Sequence, residues 1–163
     1  MTRGLGRVFI GALAAGSIVG GIARADEPEE PPPCFDAQVL ATLVRQVPTP
    51  IPDCGDDCIV MSWPWILDIK VDTVLAGGAR RGPLTVLSVQ HTYLRSGRPG
   101  RFWLRRNSLG GFNLLRLGDG PKPRRCAKDA APDNPYITPA EGRTLEDLRR
   151  EGLDRYGEGP GAP

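Results

Sequence analysis

The residues best suited to chemistry in this 163-residue chain are its four cysteines. Two of them, Cys54 and Cys58, are separated by three residues in the acidic segment DCGDDC. Thioredoxin-like redox pairs have two intervening residues at a helix amino terminus, where the helix dipole lowers the pKa of one thiol. Because this pair instead follows a proline run and precedes a strand, we expect a structural disulfide here. The segment also lacks the carboxylate spacing of a calcium-binding loop.

The only histidine, His91, would have to serve any serine hydrolase active site in this chain. Ser62, Ser88 and Ser108 are the candidate nucleophiles, but no Gly-x-Ser-x-Gly motif surrounds any of them. In an extended strand Ser88 and His91 would also point to opposite faces. We therefore expect no catalytic residue, and a small hydrolase or thiol-disulfide enzyme is the alternative interpretation.

A basic run lies between residues 95 and 125, with nine arginines and lysines and a single acid, Asp119. Guanidinium groups bind phosphate and carboxylate groups through paired hydrogen bonds. Charged runs also commonly do no more than solvate a face, which is the competing interpretation. The candidate ligand-binding residues in this run are Arg98, Arg101, Arg105 and Arg106.

Two tryptophans, Trp63 and Trp65, flank Pro64 and share one face of a predicted strand. Large aromatic side chains at such positions most often pack in a core. A proline between them indicates an edge or a bulge, so the alternative is a stacking platform beside Tyr93 or Trp103. Trp63 and Trp65 are therefore the remaining ligand-binding candidates.

The amino terminus predicts export. Residues 1–7 carry two arginines and no acid, residues 8–22 are uncharged and apolar or small, and Ala23-Arg24-Ala25 has the form that signal peptidase cleaves. The apolar stretch is shorter than the roughly 20 residues of a membrane-spanning helix, and no later segment is long and apolar enough to span a bilayer. Residues 1–25 are therefore predicted to be a signal peptide, cleaved after Ala25, which predicts a periplasmic or secreted protein.

Cleavage changes the charge and supports disulfides. The signal peptide holds three of the 21 basic residues and no acid, so 18 basic residues remain against 19 acidic ones, a net charge of −1 instead of +2. A globally basic nucleic-acid binder is therefore not expected. An even number of cysteines in an exported chain favours disulfides over metal sites, and we expect no metal or cofactor. Four cysteines allow three pairings, of which we favour Cys54–Cys58 together with Cys34–Cys126.

Alternation of apolar and polar residues predicts a strand-rich fold. The clearest strand spans Trp63 to Leu75, with apolar side chains at most of the odd positions. Further strands are predicted at residues 36–47, 83–93, 101–106 and 112–117, the last two joined as a hairpin. Five short strands with glycine-rich connections predict a mainly β fold, a small antiparallel five-stranded OB-like barrel.

A short helix is predicted after the barrel. Thr138-Pro139-Ala140-Glu141 and Thr144 with Asp147 both have the form of a capping box, and Leu145 and Leu148 give an apolar stripe. The predicted organisation is an acidic proline-rich spacer at 26–33, a barrel domain at 34–126, a carboxy-terminal extension with the helix at 127–156, and a disordered tail at 157–163.

One part of the chain resembles a known family. A cysteine-headed strand, a strand ending in Val-x-x-Val-Leu-x-Gly at residues 71–77 and a further strand at 84–89 resemble the opening of netrin-type OB-fold barrels, which include metalloproteinase inhibitors. The resemblance covers residues 34–89 and implies an OB-like barrel. Those inhibitors place a cysteine at the mature amino terminus to ligate the target's zinc; here eight residues precede Cys34, so inhibition is not implied. We expect a non-enzymatic binding or structural module whose partner is an anionic envelope component or a protein.

Overall fold

The computed structural model describes residues 33–51, 59–95 and 97–157. The predicted signal peptide, nearly all of the spacer, the Cys54–Cys58 pair and nearly all of the tail lie outside the described residues. The elements are β1 (Cys34–Phe35), β2 (Ala37–Pro48), β3 (Trp63–Gly77), β4 (Gly82–Gln90), β5 (Pro99–Arg106), β6 (Phe112–Leu117), β7 (Arg124–Arg125) and α1 (Leu145–Tyr156).

Five of these strands form a closed barrel in the order β2-β3-β4-β6-β5. The mainly β, five-stranded OB-like barrel with a short carboxy-terminal helix is therefore confirmed. The expectation of purely antiparallel strands is wrong, because β4 and β6 are parallel, with Val86 opposite Phe112. The reason is topological: strand directions cannot alternate all the way round a closed ring with an odd number of strands, so at least one pair must be parallel.

The barrel core is built from the inward faces of the strands. In β3 the odd-numbered positions from Trp65 to Val71 are buried, as the alternation predicts. Beyond Val71 the prediction fails, because Val74 packs against the core while Leu75 is exposed. The register between β2 and β3 shifts between Leu40 and Ala41, and such a bulge moves the inward-facing positions by one residue.

A second, smaller apolar cluster lies on the outside of the barrel, between β3, β4 and α1. Ile66 and Leu87 face outward but are buried by Leu148 of the helix. The helix also approaches β2 closely, since a Cβ atom added at Gly152 would meet Val47 and the carbonyl of Pro48. This packing fixes α1 on one side of the barrel.

The helix begins after Thr144, whose hydroxyl oxygen accepts a hydrogen bond from the Asp147 N–H while the Asp147 carboxylate accepts one from the Thr144 N–H. The capping box at Thr144 is thus confirmed. The equivalent signal at Thr138 starts no helix, because a turn containing Gly142 at φ 75° follows it. Within the described part of the chain, no helix is long and apolar enough to cross a membrane.

Strands β1 and β7 form a separate two-stranded parallel pair of two residues each. The predicted disulfide between Cys34 and Cys126 is confirmed and links the two strands. Phe35 covers the outward-facing ring of Trp103 edge-on, with 4.8 Å between ring centroids. The disulfide therefore ties the segment after β6 back to the start of the barrel.

Candidate cationic site

Two of the predicted arginines meet at the end of the barrel where β2 begins and β5 ends. Asp36 Oδ2 accepts hydrogen bonds from Arg105 Nη1 and from the Arg106 N–H, each at 2.7 Å, and Asp36 Oδ1 lies 3.3 Å from Arg106 Nε. The side chains of Asp36 and Arg105 are only 9% and 11% exposed, so this is a nearly buried ion pair. Arg105 is therefore already occupied by a structural partner.

The same contacts set the protonation of Asp36. Burial alone would raise the pKa of its carboxyl group, but the hydrogen bonds and positive charges of Arg105 and Arg106 outweigh burial and lower the pKa below 3.8. Asp36 is consequently a carboxylate at any physiological pH. Its Oδ1 accepts from Arg106 Nε and so orients the Arg106 guanidinium, while Oδ2 accepts from the Arg106 N–H.

Arg106 faces a cleft of about 460 Å³ at this end of the barrel. Its side chain is 48% exposed, and its terminal nitrogens make no hydrogen bond to another described residue. Arg125 and Lys128, both exposed, also line this cleft. We call this the cationic cleft, defined by Arg106, Arg125 and Lys128 around Asp36.

The shape of the cationic cleft depends on a glycine. Gly77 has φ 85°, and a Cβ atom there would collide with the Asp36 backbone, so only glycine lets the end of β3 approach so closely. The cleft then holds three cationic side chains and one carboxylate already bound by two of the chain's own arginines. Such a site favours a phosphate or carboxylate group, which guanidinium binds through two parallel hydrogen bonds.

The other two candidate arginines lie elsewhere. Arg101, near the start of β5, forms an exposed ion pair of 3.1 Å with Asp119. Arg98 is exposed before the start of β5, at the opposite end of the barrel from the cationic cleft. Arg116, another member of the basic run, donates to the carbonyls of Asp119 and Pro121 and so braces a loop. The four predicted arginines therefore do not form one surface.

The two candidate tryptophans have different environments. Trp65 is 1% exposed, donates from Nε1 to the Gln90 carbonyl at 3.0 Å and packs edge-on against Tyr93, so it is a core residue. Trp63 is half-buried, with its ring 5.5 Å from that of Trp65. Both line a smaller cleft of about 280 Å³ with His91 and other side chains, at the end of the barrel opposite the cationic cleft. Trp103 lies apart from them, beneath Phe35.

Among the described residues, Ser88 and His91 of the alternative hydrolase have different environments. The buried Ser88 hydroxyl donates to the Gln90 side-chain oxygen at 3.3 Å, while His91 follows the end of β4 and is exposed. Gln90 in turn donates to Gln46, which holds the Leu94 backbone through two hydrogen bonds of 2.8 Å. These buried polar groups support the connection between β4 and β5.

Three contributors to the cationic cleft escaped the sequence-based reasoning: Asp36, Gly77 and Lys128. In the sequence, Gly77 stood out only as the last residue of the netrin-type strand motif at residues 71–77. Lys128 lies just beyond the basic run, and the disulfide at Cys126 brings it back to the barrel. The sequence feature that could have indicated that Lys128 lies in the same cleft as Asp36 is the predicted Cys34–Cys126 disulfide, which the structure confirms.

Fold and site together define a small OB-like β-barrel module with a disulfide-linked cationic cleft. No protein family, curated protein or solved structure matches the chain, so the netrin-type resemblance stays a prediction. Within residues 33–51, 59–95 and 97–157, no three histidine, cysteine or acidic side chains are grouped so as to hold a metal ion.

Proposed function

We propose that this chain is an exported, non-enzymatic module that binds an anionic component of the cell envelope through its cationic cleft. The observation that carries the proposal is the geometry at Arg106. Asp36 holds Arg106 Nε, which leaves the terminal nitrogens of the guanidinium directed away from their structural partner and beside Arg125 and Lys128. A preoriented guanidinium loses less conformational freedom on binding than a free one.

Charge supports an anionic partner, because the cleft concentrates positive charge on a mature chain predicted to be close to neutral. Arg106, Arg125 and Lys128 line the cleft together with Asp36, whose carboxylate is already paired with Arg105 and Arg106. Each charge-assisted hydrogen bond to a ligand contributes about 1.5–3 kcal/mol. Two or three such contacts together contribute about 3–9 kcal/mol before the cost of association is subtracted.

Export is supported by the signal-peptide pattern of residues 1–25 and by the Cys34–Cys126 disulfide. Disulfides form and persist in oxidising compartments such as the bacterial periplasm. An anion exposed in that compartment, carrying phosphate or carboxylate groups, is the partner that this chemistry fits.

The direct test measures binding of inorganic tripolyphosphate and of citrate by calorimetry. The double variant Arg125→Ser/Lys128→Ser removes two cleft cations that make no described ion pair, so the barrel should stay folded. The matched control, Arg45→Ser/Lys70→Ser, removes the same charge from exposed positions outside the cleft. We expect the cleft variant to lose at least about tenfold in affinity, equivalent to one charge-assisted contact, and the control to change little.

Salt provides a second readout, since binding should weaken between about 50 and 300 mM salt as the charges are screened. Capture from envelope extracts then identifies the natural partner. The proposal is contradicted if the wild type and the cleft variant recover the same proteins or polymers in equal amount. A control variant that loses as much anion affinity as the cleft variant also contradicts it. Arg105 is unsuitable for this test because its removal leaves Asp36 without a nearly buried partner.

A further inference from the structure

The part of the cationic cleft that holds Arg125 and Lys128 lies outside the closed barrel. Arg125 is the last residue of β7 and pairs with Phe35, and Cys126, Ala127 and Lys128 follow that pairing. The Cys126 N–H donates to the Phe35 carbonyl at 2.9 Å, and the Cys34–Cys126 disulfide is the covalent link. Isolated two-stranded pairings are marginal in water even when they are longer than this one. The disulfide is therefore the covalent restraint on Arg125 and Lys128. The β1–β7 pairing holds the same segment, and a few residues further on the Ala131 carbonyl accepts from Arg105 and the Asp133 N–H donates to the Arg106 carbonyl.

The disulfide also lies beside a guanidinium. Arg105 Nη1, which binds Asp36, is 3.2 Å from Cys126 Sγ, and Arg105 Nη2 donates to the Ala131 carbonyl. Arg106 and Arg125 add further positive charge nearby. Positive charge next to a cysteine stabilises its thiolate, and a stabilised thiolate leaves more readily in thiol-disulfide exchange. Cys34 and Cys126 are both partly exposed, which gives a reductant access.

We propose that the Cys34–Cys126 disulfide is a redox-sensitive tether that controls anion binding: the cleft binds when the disulfide is intact and loses affinity when a dithiol reduces it. This inference rests on the proposed function, because it assigns regulation to the same cleft. The reductant is a dithiol, either a small molecule or a protein of the thiol-disulfide oxidoreductase class.

The exchange proceeds in two displacements. A thiolate of the dithiol attacks Cys34 Sγ, the Cys34–Cys126 bond breaks, and the Cys126 sulfur leaves as a thiolate beside Arg105. The second thiol of the reductant loses its proton and attacks the mixed disulfide, which releases the Cys34 sulfur; that sulfur takes up the proton. Two electrons pass from the dithiol to the protein, and the dithiol becomes a disulfide.

The structure separates what reduction should change from what it should leave intact. Arg106 and Asp36 are held by β2 and β5, which belong to the closed barrel. The main core cluster is built from barrel strands and does not include β1 or β7. Reduction should therefore release Arg125 and Lys128 while the barrel persists, with a loss of affinity of about tenfold or more, as in the cleft variant.

The experiment uses the full exported chain carrying Cys54→Ser and Cys58→Ser, so that only one disulfide can respond. Tripolyphosphate binding is measured before and after treatment with dithiothreitol followed by alkylation, and mass spectrometry verifies alkylation at Cys34 and Cys126. The NMR resonance of the Trp65 indole N–H, which donates to the Gln90 carbonyl, reports the packing of the barrel interior. The wild-type chain is treated in parallel, in case the serine variant folds poorly.

We expect strong binding when oxidised, binding weakened about tenfold when reduced, and an unchanged Trp65 signal. Equal affinity in both forms overturns the redox inference and leaves the proposed function standing. Absence of binding in the oxidised form overturns the proposed function and this inference with it. Loss of the Trp65 signal on reduction also overturns the inference, since the disulfide then stabilises the whole barrel instead of controlling one part of the cleft.

Discussion

Replacing Gly152 by alanine tests how α1 is attached to the barrel. Glycine inside a helix costs about 1 kcal/mol relative to alanine, so in an isolated helix this change would be stabilising. In the folded protein an alanine Cβ would lie 2.9 Å from Val47 Cγ1 and closer still to the Pro48 carbonyl oxygen. The Pro48 contact is with backbone, which no rotamer change can relieve.

The helix must therefore move away by about an ångström, which disturbs the packing of Leu148 on Ile66 and Leu87. Forced overpacking costs about 1–3 kcal/mol, and the upper value applies because the obstacle is backbone. Subtracting the helix-propensity gain of about 1 kcal/mol leaves a net destabilisation of about 2 kcal/mol. In a domain of this size that corresponds to a fall in Tm of about 8 °C.

Urea unfolding followed by tryptophan fluorescence measures the effect, with an unchanged denaturant slope expected. Asp154→Ala is the matched control, because it introduces alanine into the same helix at an exposed position near the carboxyl end, where removing an acid is favourable. Its stability should change by less than about 0.5 kcal/mol. If Gly152→Ala is as stable as the wild type or more stable, the close approach of α1 to β2 is refuted.

Three further substitutions test other parts of the structure. Asp36→Asn should cost about 3 kcal/mol at pH 7; because the folded state lowers the pKa of Asp36, the wild type should lose that contribution as the pH falls below 3.8, and urea titrations across pH 2–7 should show a flatter profile for the variant. Thr144→Ala should lower stability by about 1 kcal/mol through loss of the helix cap, with Thr144→Asp restoring most of it in thermal unfolding. Gln46→Leu leaves the Leu94 N–H and C=O without their partner, so stability should fall by about 2 kcal/mol and the Leu94 amide should exchange faster with deuterium.

The sequence predicts the strands well where one face meets the core and the other meets water. In β3, Asp68 and Lys70 alternate with buried apolar residues, so the local pattern and the tertiary environment agree. The hairpin of β5 and β6 is predicted for the same reason, with glycines at its turn. These elements depend mainly on local information.

Other features depend on contacts between distant parts of the chain. Ile66 has an even number and should face water, but Leu148, more than 80 residues later, covers it. The choice between the capping boxes at Thr138 and Thr144 also depends on context, although Gly142 gave a local signal. A helix starting at Thr138 would contain Gly142 in its first turns at a cost of about 1 kcal/mol, whereas one starting at Thr144 places Leu148 on the barrel.

The basic run shows most clearly why the site could not be derived from the sequence alone. A count of arginines treats every charge as available, but Asp36 binds Arg105 and Arg106 from about 70 positions away, and Asp119 binds Arg101. These ion pairs give part of the basic run a structural role. The positive charge that can still bind a ligand therefore depends on which carboxylates the fold brings close to the arginines. Asp36 does more than neutralise the positive charge of these arginines. Because it accepts a hydrogen bond from Arg106 Nε, it also sets the direction in which the rest of that guanidinium can bind a ligand. A carboxylate within a positive cluster is therefore consistent with an anion site when its oxygens are already bound by the protein's own arginines. The Arg125→Ser/Lys128→Ser and Arg45→Ser/Lys70→Ser variants remove the same charge, so a difference in their anion affinity measures the contribution of the cleft and not that of net charge.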